Sequence, residues 1–124
     1  MDKAQGINAF WNSFQWKAFD ENTVPDGAMA TYGAYVTYNV SIARDFEATL
    51  SVSASLWQRS RSWAEVEQKA AEIYDYIGLG GRTIAIDGGY LWIKRGNPFS
   101  QRLQDEDDSI RRVVLNIMVD FLAN

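Results

Sequence analysis

Asp105, Glu106, Asp107 and Asp108 put four carboxylates in adjacent positions. They are the groups best placed to hold a cation or move a proton. A calcium loop needs spaced ligands, a central glycine and a closing glutamate, and this run has none of them. A catalytic carboxylate pair needs surroundings that lift one pKa above the other, and no residue beside the run does so. Three readings stay open: a solvated charge run, an acidic tip facing a partner or a lumen, and a divalent-ion site. A second feature is Gly78-Leu79-Gly80-Gly81. A phosphate loop places its glycines after a strand and before a helix, so that phosphate meets a helix N-terminus. Here the predicted order is helix, glycines, strand, and the phosphate-loop lysine is missing. The run reads as a helix-to-strand joint.

Absences narrow the chemistry further. The chain has no Cys and no His. That removes disulfides, thiolate nucleophiles, Cys-based zinc sites, the commonest general base and the commonest transition-metal ligand. The expectation is a protein that is not an enzyme, with no cofactor and no metal. The net charge is −4 and the 12 basic residues form no long block, so non-specific nucleic-acid binding by counterion release is not expected. No run of apolar residues reaches the roughly 18 that a membrane span needs. The opening MDKAQGINAF has no apolar core of a secretory signal. With 124 residues, 47% of them apolar, residues 1–124 are expected to form one domain around a real core.

Residues 46–77 organise the elements that must hold these groups. Phe46, Ala48, Leu50, Val52, Ala54 and Leu56 alternate with Glu47, Thr49, Ser51, Ser53 and Ser55, the period of a strand with one dry face. The period then changes. Ser62 and Glu65 have capping-box spacing, and Val66, Ala70, Ile73 and Ile77 follow on one helical stripe, with Gly78 placed for a left-handed helix end.

Upstream, Ile7, Phe10, Trp11, Phe14 and Ala18 predict a helix over 3–19. Trp16 falls opposite that stripe and needs a cover, either the following loop 20–31 or a partner subunit. The alternation of Val36, Tyr38, Val40 and Ile42 with Tyr35, Thr37, Asn39 and Ser41 predicts a strand over 32–43, joined by Ala43-Arg44-Asp45 to an antiparallel neighbour. The Thr- and Ser-rich faces of these two strands are either solvent or a subunit contact.

Downstream, 83–87 and 90–95 predict a hairpin around Gly88-Gly89, with Asp87-Gly88 as the turn. Residues 96–109 read as one long loop. Val113, Leu115, Ile117, Val119 and Phe121 predict a long closing strand deep in the same sheet. The expected fold class is α+β: a single-layer, mainly antiparallel sheet of four to five strands with two helices on one face.

These segments carry a resemblance. Tyr32-Gly33-Ala34-Tyr35-Val36-Thr37-Tyr38 leads into a strand, and a Ser-alternating strand ends in Leu56-Trp57. An Ala- and Glu-rich helix spans 64–77, and an Arg-Arg-led strand spans 111–121. Together they resemble the tail-terminator (tail-completion, minor tail) proteins of long-tailed bacteriophages. The resemblance spans most of the chain and is a loose pattern, with no fingerprint motif.

It implies a structural role. Such proteins form a six-fold ring on the head-proximal end of the tail tube, end tube growth and offer a surface to the head connector. The implied partners are further copies of the chain in a homo-hexamer, the tail tube protein and a head-completion or connector protein. DNA passes through without specific binding. The implied place is the virion, after assembly in the host cytoplasm.

No catalytic residues carry over from the family. Such a ring needs two different patches per subunit. The candidate contacts are Trp16, Tyr35, Thr37, Trp57, Phe99 and Arg102, and an acidic tip at Asp105, Glu106, Asp107 and Asp108 would keep DNA from sticking to a lumen. The rivals are another neck component (head-closure or adaptor), a carboxylate-dependent enzyme and a monomeric ligand-binding α+β domain with its Trp and Tyr residues around a pocket.

Overall fold

A computed structural model describes residues 1–39 and 49–124. Val40, Ser41 and Ile42, the connection Ala43-Arg44-Asp45, and Phe46, Glu47 and Ala48 lie outside the described residues.

The order of elements is α1 (Lys3–Trp11), a 3-10 turn (Asn12–Phe14), β1 (Lys17–Asp20), α2 (Ala28–Tyr32), β2 (Ala34–Tyr38), β3 (Leu50–Arg59), α3 (Ala64–Ile77), β4 (Arg82–Ile86), β5 (Gly89–Gln104) and β6 (Ile110–Ala123). One six-stranded sheet runs β1-β2-β3-β6-β5-β4. All its pairings are antiparallel except β1 with β2, which is parallel. The sheet is thus larger and more mixed than the expected four to five strands, and α2 is a third helix. The antiparallel pairing of β2 with β3, the β4–β5 hairpin and the long closing strand β6 agree with the alternation read from the sequence.

Two corrections enlarge the sheet. The helix expected over 3–19 stops at Trp11. Gln15 takes a positive φ of 67°, which a continuing helix does not permit. After that break the chain extends into β1, and Ala18 is buried from a strand. The loop expected over 96–109 is mostly strand, because β5 runs on to Gln104. Gly96 and Pro98 fall where its register with β6 shifts, between Arg95 and Ser100. At that shift no ladder bond is demanded of the proline. Only five residues, 105–109, remain between β5 and β6.

The core lies on one side of the sheet. Strand residues Val36, Val52, Leu56, Leu91, Ile93, Leu115, Ile117 and Val119 share it with Ile7, Phe10 and Trp11 of α1 and Val66, Ala70, Ile73 and Ile77 of α3. The stripe read for α3 is therefore its buried face. Its start differs from the expected capping box. Trp63 is the N-cap, and the Ser62 hydroxyl accepts from the Ala64 N–H at 3.1 Å. The Glu65 carboxylate accepts from Gln58 of β3 instead of reaching back. A capping box does form at Asp2 and Gln5, at the head of α1. Gly78 has the expected positive φ, 74°, but an extended ψ of 173°, so the helix leaves straight toward β4.

Candidate functional site

With α1 and α3 on one face, the opposite face of the sheet has no helix from the core cluster above it. Register assigns its side chains. They are Lys17 and Phe19 of β1, Tyr35 and Thr37 of β2, and Ser51, Ser53, Ser55, Trp57 and Arg59 of β3. From β6 come Arg112, Val114, Asn116, Met118, Asp120 and Leu122, and from β5 come Tyr90, Trp92 and Lys94, then Gln101 and Leu103 beyond the shift.

Three of the sequence candidates meet here. The Tyr35 and Trp57 rings stack at 6.2 Å with 14° between planes. Trp57 Nε1 donates to Thr37 Oγ1 at 3.0 Å. Arg112 lays its guanidinium 4.4 Å from the Trp57 ring centre, and its Nε donates to Ser55 Oγ at 3.0 Å. Partial burial pushes the Tyr35 hydroxyl pKa up, Asp105 adds to the rise and Arg112 opposes it. At the other end of the face Lys94 lies 4.4 Å from the Trp92 ring centre and pairs with Asp120 at 2.5 Å.

The Lys94 hydrogen bond, and then that from the Thr49 hydroxyl, hold the Asp120 carboxyl below its ordinary pKa. A carboxyl that titrates lower when folded stabilises the fold at neutral pH. The gain is lost as pH falls below about 4 and through the depressed value. Asp120→Asn is therefore expected to melt below the wild type at neutral pH and to converge with it in acid. Melting curves of both proteins against pH check this, and a constant gap down to about pH 2 would contradict it.

Trp16, Phe99 and Arg102 lie elsewhere. Trp16 follows the turn at Gln15, half-buried against the core. Lys69 of α3 lies over it: its Nζ sits 5.6 Å from the ring centre and donates to the Phe14 carbonyl at 2.7 Å. Phe99 meets Tyr74 of α3 edge-on at 5.3 Å. It lines a groove of about 600 Å³ between α3 and β5, together with Glu67, Ala71, Tyr74 and Arg102. Arg102 donates from Nε to Glu67 at 2.5 Å and stands 4.6 Å from the Trp63 ring centre. That hydrogen bond lowers the Glu67 pKa.

The four carboxylates occupy the turn between β5 and β6. Asp105 accepts from the Asp107 N–H at 3.1 Å. Asp107 accepts from the Ser109 N–H at 2.8 Å and the Ser109 hydroxyl at 2.6 Å. These Ser109 bonds lower the Asp107 pKa, and Arg59 and Arg61 add to the effect. Arg111 closes the turn from below, donating to the Asp108 carbonyl at 2.9 Å and the Arg61 carbonyl at 2.8 Å. Glu106 and Asp108 keep their carboxylates exposed. Two of the four carboxylates therefore shape a turn. Among the described residues no group of three or more carboxylates is arranged to hold a metal ion.

The sequence reading did not single out Lys17, Lys94 and Arg112, three of the cations of the open face. Each lies over an aromatic ring: Lys17 over Phe19 at 5.7 Å, Lys94 over Trp92 and Arg112 over Trp57. A signal was present in β6, where Arg112, Asn116 and Asp120 recur every fourth residue on the wet side of an alternating strand.

No family model and no curated protein matches the chain. Its fold is similar to that of a chain in the virion of a native gene transfer agent particle. The TM-score is 0.56, with 22% identity over 93% of this chain and 83% of that one. The likeness shows the fold.

Proposed function

We propose that the chain is a structural virion protein, a tail terminator. In this reading it forms a ring on the head-proximal end of a phage tail tube, stops tube growth and gives the head connector its joining surface. The observation that carries the reading is the fold shared along most of both chains with a virion component. The open sheet face supports it. A six-stranded layer with α1 and α3 on one side presents its second side to a neighbouring subunit. Stacked and cation-bearing aromatic rings on that side are of the residue types found at interface centres.

The proposed partners are further copies in a homo-hexamer, the tube protein and a head-completion or connector protein, with DNA passing through unread. The exposed carboxylates of Glu106 and Asp108 fit a surface that DNA slides past. The proposed role needs no catalytic group, cofactor or membrane, and its place is the virion.

Native mass spectrometry over a wide concentration range, alone and with isolated tail tubes, tests the reading. The expected result is a six-subunit species, free or on tube ends. A stable dimer with nothing larger, or a monomer that leaves tube ends bare, would overturn it. Binding to filled heads in place of tubes would move the chain to another neck component.

A further inference from the structure

The open face of the sheet and the outer surface of α3 differ in charge. Among the described side chains of the open side, Lys17, Arg59, Lys94 and Arg112 are cations; Asp120 is paired with Lys94, and Asp105 acts on Tyr35 from the turn at one end. The chain as a whole is nevertheless at −4. Helix α3 is acidic in its own composition. In α3, Glu65, Glu67, Glu72 and Asp75 stand against a single cation, Lys69. Gln68, Glu72 and Asp75 fall on the stripe opposite the buried Val66, Ala70, Ile73 and Ile77, at helical spacing, while Glu65 is turned to Gln58 of β3. All three are exposed; Glu72 pairs with Lys69, and among the described residues Asp75 has no partner.

The open face is a pleated sheet with a low centre, the row Ser51, Ser53 and Ser55. Aromatic and cationic side chains rise beside it: Tyr35, Trp57 and Arg112 at one end, Trp92 and Lys94 at the other. The ten residues of β3 span roughly 33 Å, and the 14-residue α3 spans roughly 21 Å.

We infer that the acidic outer stripe of α3 in one copy docks on the cationic open face of the sheet in the next. This rests on the ring reading above and supplies the contact that builds it. Two different surfaces meet, so the contact repeats head to tail, as a ring requires. Each sheet then becomes covered on both sides, with helices of its own chain on one and a neighbour's helix on the other. Nucleic acid is the less suited occupant. The Trp57 and Trp92 rings are already covered by cations, so they are not free to stack bases.

The test exchanges the charges. One variant carries Lys17→Glu and Arg112→Glu, another carries Glu72→Lys and Asp75→Lys, and a third carries all four. Assembly is read by sedimentation and native mass spectrometry under the condition in which the wild type assembles. Each double variant is expected to weaken assembly about 100-fold or more, because like charges now face each other. The fourfold variant is expected to regain assembly. Glu72→Lys and Asp75→Lys change only exposed side chains, so their effect does not depend on refolding the Trp57 cluster. Double variants that assemble as the wild type does, or a fourfold variant that stays apart, would overturn this contact and leave the ring reading in place. A wild type that assembles neither alone nor on tubes would overturn both.

Discussion

Trp11→Ala is expected to lower the stability of the chain by about 3–5 kcal/mol, the largest loss from any single truncation. Trp11 is fully buried, and its ring meets the edge of Phe10 at 4.9 Å and 74°. It is the largest of the fully buried side chains and sits where α1 meets the sheet. Removing the indole leaves a void, which α1 can fill only by moving its whole face. Domains of this size are stable by roughly 5–15 kcal/mol, so the variant should be partly unfolded at warm temperatures.

Trp11→Phe separates volume from polarity. The Trp11 Nε1 is buried and finds no hydrogen-bond partner. Phe gives up no bond there and removes a polar atom whose burial carries a penalty. Its loss should therefore stay below about 1.5 kcal/mol. Urea unfolding of both variants decides the matter. A Phe variant as unstable as the Ala variant would show that the indole N–H matters. An Ala variant within about 1 kcal/mol of the wild type would show that the site is not a core position.

The strands and helix with one wet and one dry face were legible because burial writes a period into the chain. β3, β6 and α3 have buried residues at spacings of 2 or 3.6. The second half of β5 has no such period, since from Gly96 to Gln104 most of its side chains are exposed on both faces. Nothing local marks it as strand. Its extended shape is set by pairing with β6, from Gln104 on Arg111 to Ser100 on Leu115.

β1 fails for the opposite reason. Phe14 and Ala18 continue the helical stripe of α1 by chance, but Phe14 ends in the 3-10 turn and a parallel pairing with β2 captures Ala18. The capping-box pattern at Ser62 is another local signal that tertiary contact overrides, because Gln58 competes for the Glu65 carboxylate.

The candidate residues divided for a related reason. Tyr35, Thr37 and Trp57 lie in strands whose antiparallel pairing the sequence suggested, and the register of that pairing brought them together. Phe99, Arg102 and the acidic turn were placed on a loop that is largely strand. Their surroundings on α3 were not available from sequence. The cations of the open face were missed because a lone Lys or Arg on a wet strand face carries no local mark. Only the cross-strand neighbours turn Lys94, Arg112 and Lys17 into ring-covering pairs.

Ile117→Ala and Met118→Ala, adjacent in β6, are expected to act on different properties. Ile117 is 1% exposed and points toward α3, while β6 is held on both sides, by Val52 of β3 and Arg95 of β5. A central strand bonded on both edges cannot slide to close a void. The loss should therefore lie in the upper part of the roughly 2–5 kcal/mol range for such truncations. The unfolding midpoint should fall while the m-value stays unchanged.

Met118 is 37% exposed on the open face. Its truncation should move monomer stability by no more than about 0.5 kcal/mol. Because the inferred contact covers that face, the same change should weaken assembly of the copies. The pair thus reads the two sides of one strand by two separate measurements, urea unfolding of the monomer and sedimentation of the assembly. Equal losses of monomer stability would mean that both sides of β6 are core. A Met118→Ala chain that assembles as tightly as the wild type would mean that the neighbour's helix lands elsewhere on the sheet.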